Sequence, residues 1–180
     1  MKKLLALLLC MVMLLALVAC GSSEKGGDNG DDKGGEQAAE SYEFDVGEFK
    51  VTVPGGWKEF PLTDMSGEGN DTNSIDIYKG DSMFGGFPYI RIDYYGPSTT
   101  MMSLMPELYE NVEEIAEFEL GGYTWSGFKC TSFDMPLINL QTAAGDHEFQ
   151  LALWYEQDNG TISLEDADVK ALIESLTPNA

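Results

Sequence analysis

Few side chains in this sequence are suited to nucleophilic chemistry. Histidine occurs once, as His147, which lies between Asp146 and Glu148 beside a predicted hairpin turn. A hydrolase needs a nucleophile, a base and a group that orients the base within hydrogen-bonding distance of one another. No Gly-x-Ser-x-Gly elbow occurs in the chain. We therefore interpret His147 as a solvent-facing turn residue, with a catalytic base as the alternative. We assign no catalytic residue and predict that the protein is not an enzyme.

One loop offers oxygen ligands for a cation. Residues 64–70 resemble the first half of an EF-hand loop, because oxygen-bearing side chains occur at alternate positions. The twelfth position, which needs a bidentate glutamate, is Ile75, and the flanking segments have strand patterns, so the loop is not an EF-hand. A zinc site lacks ligands, since one histidine and one thiol cannot complete a tetrahedron without carboxylates. We assign no metal and no cofactor. A weak calcium site formed by Asp64, Glu68 and Asp71 remains the alternative.

The N-terminus has the pattern of a secretion leader that ends in a lipid attachment site. Lys2 and Lys3 precede an apolar run over residues 4–15. The run to residue 19 is shorter than the roughly 20 residues that a helix needs to cross a bilayer. Leu-Val-Ala-Cys at positions 17–20 resembles the lipobox of bacterial lipoproteins. In that family the cysteine sulfur receives a diacylglyceryl group and the leader is cut just before it.

The lipobox resemblance implies where the protein lies in the cell. Residues 1–19 would be the signal peptide, and Cys20 would become the lipid-bearing N-terminus at the extracytoplasmic face of the cell membrane. Two acyl chains satisfy the two-signal requirement for stable anchoring. The membrane is then a partner through the anchor on Cys20. An uncleaved signal anchor is the alternative.

Cys130 is the thiol that remains once Cys10 leaves with the leader and Cys20 is acylated. A single thiol cannot form an internal disulfide. Phe128 and Phe133 flank it and predict a buried strand position, where cysteine acts as a small hydrophobic residue. A reactive or intermolecular thiol is the alternative.

A flexible tether is predicted between the lipid anchor and the folded domain. Residues 20–40 are rich in glycine and acidic residues and contain no large apolar side chain, so they cannot offset the entropy of ordering. A flexible chain of this length reaches about 25 Å on average. The globular domain is predicted over residues 41–180.

The charge of the chain excludes one class of partner. Aspartate and glutamate total 31 against 10 lysines and arginines, which gives a formal charge of −21. Nucleic-acid binding needs a basic face that releases counterions from phosphates. We therefore predict no nucleic-acid partner.

Apolar periodicity predicts a domain of seven or eight antiparallel strands and two helices. Alternating patterns place strands near residues 42–46, 49–53, 75–77, 89–95, 118–120, 123–133, 137–142 and 147–155. A helix over residues 106–116, with Pro106 at its first position, is predicted from helical spacing. The apolar residues with that spacing are Met101, Leu104, Met105, Leu108, Val112 and Ile115. A closing helix is predicted from the stripe Val169, Leu172, Ile173 and Leu176.

Three short motifs are similar to those of the PsbP-like family, which includes photosystem accessory subunits and small bacterial lipoproteins. They are Phe-Lys-Val-Thr-Val-Pro-Gly-Gly-Trp at 49–57, Leu-Gly-Gly-Tyr at 120–123, and residues 168–176 ending in Ile-Glu-Ser-Leu. The resemblance spans residues 42–177. It implies an α+β fold in which helices pack on an antiparallel sheet of about seven strands, as a three-layer α/β/α sandwich. The fold itself implies no particular function.

Three groups of side chains are candidates for interaction. The aromatic residues near strand ends are interpreted as core, with a ligand groove as the alternative; they are Trp57, Phe60, Phe84, Phe87, Tyr94 and Tyr95. Met101, Met102 and Met105 are interpreted as core filling, with a docking surface as the alternative. The glutamates at 113, 114, 117 and 119 are interpreted as a solvated face, with an acidic docking patch as the alternative.

These observations together favour a membrane-anchored extracytoplasmic lipoprotein. We expect it to act as a non-catalytic binding or accessory module for an envelope protein. The alternative function is a small-molecule or calcium-binding lipoprotein that serves a transporter.

Overall fold

The computed structural model describes residues 39–179, which form a mostly β structure. Strands contain 52% of the described residues and helices 8%. The predicted signal peptide, Cys20 and all but the last two residues of the predicted tether lie outside the described residues. Within residues 39–179, no helix combines the length and the apolar character that a membrane span requires.

The described residues contain twelve strands and one α-helix. The strands are β1 (Tyr42–Asp45), β2 (Phe49–Val53), β3 (Lys58–Thr63), β4 (Asn70–Tyr78), β5 (Tyr89–Tyr95), β6 (Glu110–Leu120), β7 (Tyr123–Ser132), β8 (Met135–Thr142), β9 (Glu148–Trp154), β10 (Glu156–Gln157), β11 (Gly160–Thr161) and β12 (Thr177–Pro178). The helix is α1 (Ala167–Glu174), and a 3₁₀ turn, Pro106–Leu108, precedes β6.

Seven of these strands form one antiparallel sheet in the order β3-β4-β5-β9-β8-β7-β6. Strands β1, β2 and β12 form a second, smaller sheet, and β10 pairs with β11. Strand β2 and helix α1 cover one face of the large sheet, which we call the inner face. We call the opposite face the outer face.

The inner face carries the main core because alternate residues of each strand point toward it. Ile90 and Ile92 on β5 lie opposite Leu153 and Leu151 on β9, and all four are buried. Burying one such side chain contributes about 1.5–3 kcal/mol relative to leaving it in water. The covering layer supplies the fully buried Phe49, Val51, Val53, Val169, Leu172 and Ile173.

The predicted α+β class, with helices packed on the sheet as a three-layer sandwich, is wrong. Such a sandwich needs helices on both faces of the sheet, and the one α-helix of residues 39–179 lies on the inner face. Part of the outer face is covered instead by the irregular segment of residues 102–109, in which Leu104 and Tyr109 pack against Phe128, Cys130 and Leu137. Of the expected sandwich, the antiparallel sheet of seven strands is present.

The predicted helix over residues 106–116 is also wrong, because strand β6 occupies most of that range. The helical spacing comes from an irregular strand: Ile115 pairs with Gly127, whereas Phe118 pairs with Trp125. This register shift places two residues three positions apart on the same face of the sheet, as a helix would. Both Ile115 and Phe118 pack on the main core, while Leu108 is exposed.

Other predicted elements are confirmed. Strands β1 and β2 form the expected hairpin, and β8 and β9 the expected pair. The closing helix is present as α1, and its predicted apolar stripe is buried. Gly121 and Gly122 form the expected turn between β6 and β7, and both have positive φ, 64° and 83°. Positive φ at both central residues defines the type I′ hairpin turn.

Candidate functional site

A cleft of about 860 Å³ opens at one end of the inner face. It lies where the end of β5 and the start of β9 meet the β1–β2 turn and the C-terminal strand β12. The residues that line it include Glu48, Asn73, Tyr94, Tyr123, His147 and Asn179. We call it the His147 cleft. Its volume falls within the roughly 300–1,000 Å³ typical of small-molecule sites.

Tyr94 and His147 form a hydrogen-bonded pair in this cleft. The Tyr94 hydroxyl lies 2.6 Å from His147 Nδ1, and the two rings are stacked with centroids 6.0 Å apart. The Tyr94 ring is fixed below by Phe49 and Phe149, at centroid distances of 5.8 and 5.1 Å. The hydrogen bond therefore joins the buried ring of Tyr94 to the exposed imidazole of His147.

The Tyr94 hydroxyl is held in its protonated form. Burial raises the pKa of Tyr94, and the nearby Glu48 carboxylate raises it further. The phenol donates to Nδ1 when that nitrogen carries no hydrogen, and it accepts from Nδ1 when the nitrogen is protonated. The Tyr94 oxygen keeps lone pairs that can accept a hydrogen bond from a ligand.

The backbone fixes Glu48 at the rim of the cleft. Glu48 N donates to the Thr72 carbonyl at 3.0 Å, and the Glu48 carbonyl accepts from Asn179 N at 2.8 Å. The preceding Gly47 has a φ of 129°, and a Cβ there would lie 2.6 Å from Thr72 Cβ, so the close approach requires glycine. Among the ion pairs of residues 39–179, none involves Glu48.

Asn179 ties the C-terminal strand to the same turn. Its Nδ2 donates to Asp45 Oδ1 at 2.9 Å and to the Gly47 carbonyl at 2.8 Å. Pro178 lies opposite Phe49 in the small sheet. Pro178 and Asn179 thus line the cleft together with Glu48 of the β1–β2 turn.

The outer face carries a row of aromatic side chains across four strands. Phe60 packs edge-on against Tyr78, and Tyr78 and Tyr89 are stacked with centroids 4.5 Å apart. Tyr89 then stacks on Trp154 at 6.0 Å. Burial raises the pKa of Tyr89 to about 12, so this phenol stays neutral at physiological pH. The row stabilises the sheet through cross-strand pairs.

Beside this row lies a polar network that is satisfied internally. Arg91 binds both carboxylate oxygens of the buried Asp76, at 2.8 and 2.9 Å. Ser74 donates to Asp93 at 2.6 Å. Burial raises the pKa of Asp93, and the Ser74 hydrogen bond offsets part of the rise. Because its members bind one another, the network is structural.

An exposed apolar patch lies at the far end of β7 and β8, and we define it by Leu108, Phe133 and Met135. Phe133 is 91% exposed and Leu108 is 68% exposed. Both line a depression of about 310 Å³. Met102 and Met105 are exposed along the segment that leads to the patch. That segment is held to the sheet by Gln141, whose Oε1 accepts from Leu104 N at 3.0 Å.

The predicted site residues are distributed over several places. Cys130 is buried as expected; burial raises the pKa of its thiol, and Asn139 Nδ2 donates to its sulfur at 3.6 Å. Asp64 Oδ1 accepts hydrogen bonds from Ser66 and Gly67 within its own loop. In the described part of the chain, no three acidic, histidine or cysteine residues cluster as a metal site. Cys20 lies outside the described residues.

The sequence interpretation missed the partners of His147. It placed His147 correctly at an exposed turn, but it grouped Tyr94 with five other aromatics that do not form one groove. Tyr94 lines the cleft, whereas Phe60 lies on the outer face. Glu48 and Asn179 received no role, because only the fold brings the β1–β2 turn and the C-terminus together.

Comparisons with known proteins give no family for this chain. No family model matches it, and no curated protein matches it. A crystal structure from Bacteroides thetaiotaomicron VPI-5482, determined at 1.50 Å resolution, aligns with a TM-score of 0.42 and 13% sequence identity. The alignment covers 79% of this chain and 49% of that chain, so this chain spans about half the length of that protein.

Proposed function

We propose that this protein is a lipid-anchored extracytoplasmic module that docks non-catalytically on another envelope protein. Support for the anchor comes from the Leu-Val-Ala-Cys sequence that ends at Cys20. Support for docking comes from Phe133, which combines nearly full exposure with a strained backbone.

Phe133 and Asp134 form the two-residue turn of the β7–β8 hairpin, since Ser132 pairs with Met135. Their φ angles are 50° and 62°, in the left-handed region that favours glycine and asparagine. A bulky residue in this region costs about 1–2 kcal/mol. The Phe133 side chain gains no stabilisation from burial that would offset this cost, because it is 91% exposed. A partner that buries the ring explains both features.

The neighbours of Phe133 suit a protein partner. Leu108 and Met135 extend the exposed apolar surface, and methionine side chains adapt to irregular contacts. Exposed apolar patches commonly mark protein interaction sites. Aromatic anchors that fill a pocket on the partner supply much of the binding energy at such sites.

Photo-crosslinking in intact cells tests this proposal. A photoreactive phenylalanine analogue at position 133 should give one discrete crosslinked product, and the same analogue at the exposed position 68 should not. Leu108→Ser should remove the product from position 133 without lowering the amount of protein. The proposal is wrong if positions 133 and 68 give the same products, or if Leu108→Ser leaves the product unchanged.

A second candidate function is binding of a small molecule on behalf of a transporter. The observation that favours it is the His147 cleft, in which phenol, imidazole, amide and carboxylate groups converge within about 860 Å³. This cleft and the apolar patch share no lining residue, so the two functions can be tested separately.

A further inference from the structure

The charge inside the His147 cleft is unbalanced. Among residues 39–179, Glu48 is the one carboxylate that lines it, and no lysine or arginine lines it. The basic side chains that do form ion pairs in residues 39–179 are Lys50, Arg91 and Lys170, and each binds another acid. The Glu48 carboxylate is therefore available to a positively charged ligand.

The surroundings strengthen this preference for positive charge. Asp45 lies in the same turn as Glu48, and Asp146 precedes His147 in the β8–β9 turn. The whole chain carries a formal charge of −21. Fields of one sign raise the local concentration of the opposite ion and repel like-charged ligands. An anionic ligand would enter this cleft against the field.

Two neutral groups of the cleft, Tyr94 and Asn179, have oxygen atoms that can accept hydrogen bonds. The Tyr94 oxygen is hydrogen-bonded to His147 Nδ1 and keeps a free lone pair whichever of the two atoms donates, so it can accept a hydrogen bond from a ligand. Asn179 uses Nδ2 in two hydrogen bonds, to Asp45 and to Gly47, which leaves Oδ1 as the acceptor. A ligand that brings several N–H donors complements these oxygens.

We infer that the His147 cleft binds a small organic cation that bears ammonium groups, with Glu48 as its charge partner and the oxygens of Tyr94 and Asn179 as acceptors. This inference rests on the second proposed function and names the ligand class. An ammonium group supplies up to three N–H donors and one positive charge. The cleft volume of about 860 Å³ accommodates a polyamine or a cationic amino acid.

Isothermal titration calorimetry of the full-length chain in detergent micelles tests the inference. The probes are spermidine and lysine as cations, glucose as a neutral compound, citrate as an anion, and calcium chloride. The decisive variant is Glu48→Gln, which removes the charge and keeps the shape of an exposed side chain. The matched control is Glu107→Gln, which removes the same charge from the exposed segment on the outer face.

We expect at least one cationic probe to bind, and Glu48→Gln to weaken it about tenfold, as for a hydrogen bond to a charged group. Glu107→Gln should leave the dissociation constant within about twofold, because a distant exposed charge is screened. Equal weakening by both variants would indicate diffuse attraction and overturn the inference. Tighter binding of glucose, citrate or calcium would overturn the ligand class but keep the second proposed function. If no probe binds, both are overturned.

Discussion

Asp76 and Asp93 both lie on the outer face of the large sheet, but their carboxylate charges are balanced to different extents. Asp76 is buried but binds Arg91 through both oxygens, so its charge is balanced. Asp93 has a serine hydroxyl as its hydrogen-bond partner, and burial raises its pKa. Burying a charge is costly unless an opposite charge or enough hydrogen bonds balance it. Of these two aspartates, Asp93 is therefore the one whose ionisation opposes folding.

The Asp93→Asn substitution tests this interpretation through the pH dependence of stability. The folded-state pKa of Asp93 lies above its ordinary value of 3.8. Ionisation therefore destabilises the folded state as the pH rises through that range. Burial is the main cause; Asp76 and Asp71 also raise the pKa, and the charge of Arg91 lowers it. Asparagine resembles the protonated acid and still accepts from Ser74.

We expect Asp93→Asn to be more stable than the unmodified protein at pH 7. The difference should shrink as the pH falls through the folded-state pKa, where Asp93 takes up its proton. Urea denaturation at a series of pH values measures this difference in unfolding free energy. Asp81→Asn, at an exposed position, is the control for the loss of one negative charge. A difference that does not depend on pH would contradict the assigned role of Asp93.

At the scale of elements, the sequence predicts a strand correctly where its apolar and polar residues alternate without interruption. Strands β5 and β9 alternate without interruption, and their pattern predicts both their positions and their buried residues. Strand β6 contains register shifts and a positive φ of 53° at Asn111, so its apolar residues mimic helical spacing. A single sequence cannot distinguish a shifted edge strand from a helix at such spacing.

The sequence predicts fewer residues of the candidate site than of the sheet. His147 was recognisable because it is the single histidine of the chain. Its partner Tyr94 is one of 8 tyrosines, and nothing in the local sequence separates it from the rest. Glu48 and Asn179 meet through one backbone hydrogen bond between segments that are distant in the sequence, and no local pattern encodes this contact.

The Gly121-Gly122 turn allows a matched test of how tightly α1 packs against the β6–β7 hairpin. Both glycines have positive φ, so alanine at either position costs about 1–2 kcal/mol of backbone strain. A Cβ at Gly121 would also lie 2.9 Å from Glu174 Cα, whereas a Cβ at Gly122 meets nothing within 4 Å. Overpacking adds about 1–3 kcal/mol where the neighbours cannot move.

Urea denaturation should therefore show that Gly121→Ala is the more destabilising of the two substitutions. Gly122→Ala serves as the control for backbone strain alone. Equal losses of unfolding free energy would mean that α1 shifts freely to make room. That result would contradict the close packing of the helix on the hairpin.

At the scale of the whole molecule, the anchor and the apolar patch act together in the proposed function. In the proposed arrangement, a lipid at Cys20 would confine the domain to the membrane surface and raise its effective concentration near a membrane-bound partner. Docking through Phe133 would then need only a modest intrinsic affinity. The anchor and the patch should consequently be separable by mutation, because they lie in different parts of the chain.

Cys20→Ser is the substitution that separates them. Serine has no sulfur to accept the diacylglyceryl group, so we expect the protein to lose acyl labelling and to leave the membrane fraction after a high-salt wash. The amount of crosslinked product from position 133 should also fall, because the effective concentration at the membrane is lost.

Phe133→Ser is the reciprocal control: this variant should stay in the membrane fraction with its acyl label. Fractionation, metabolic labelling with an alkynyl fatty acid and immunoblotting measure these outcomes. If Cys20→Ser keeps its acyl label, the proposed lipid attachment at Cys20 is wrong. If it loses the label and stays in the membrane, an uncleaved signal anchor holds the chain there.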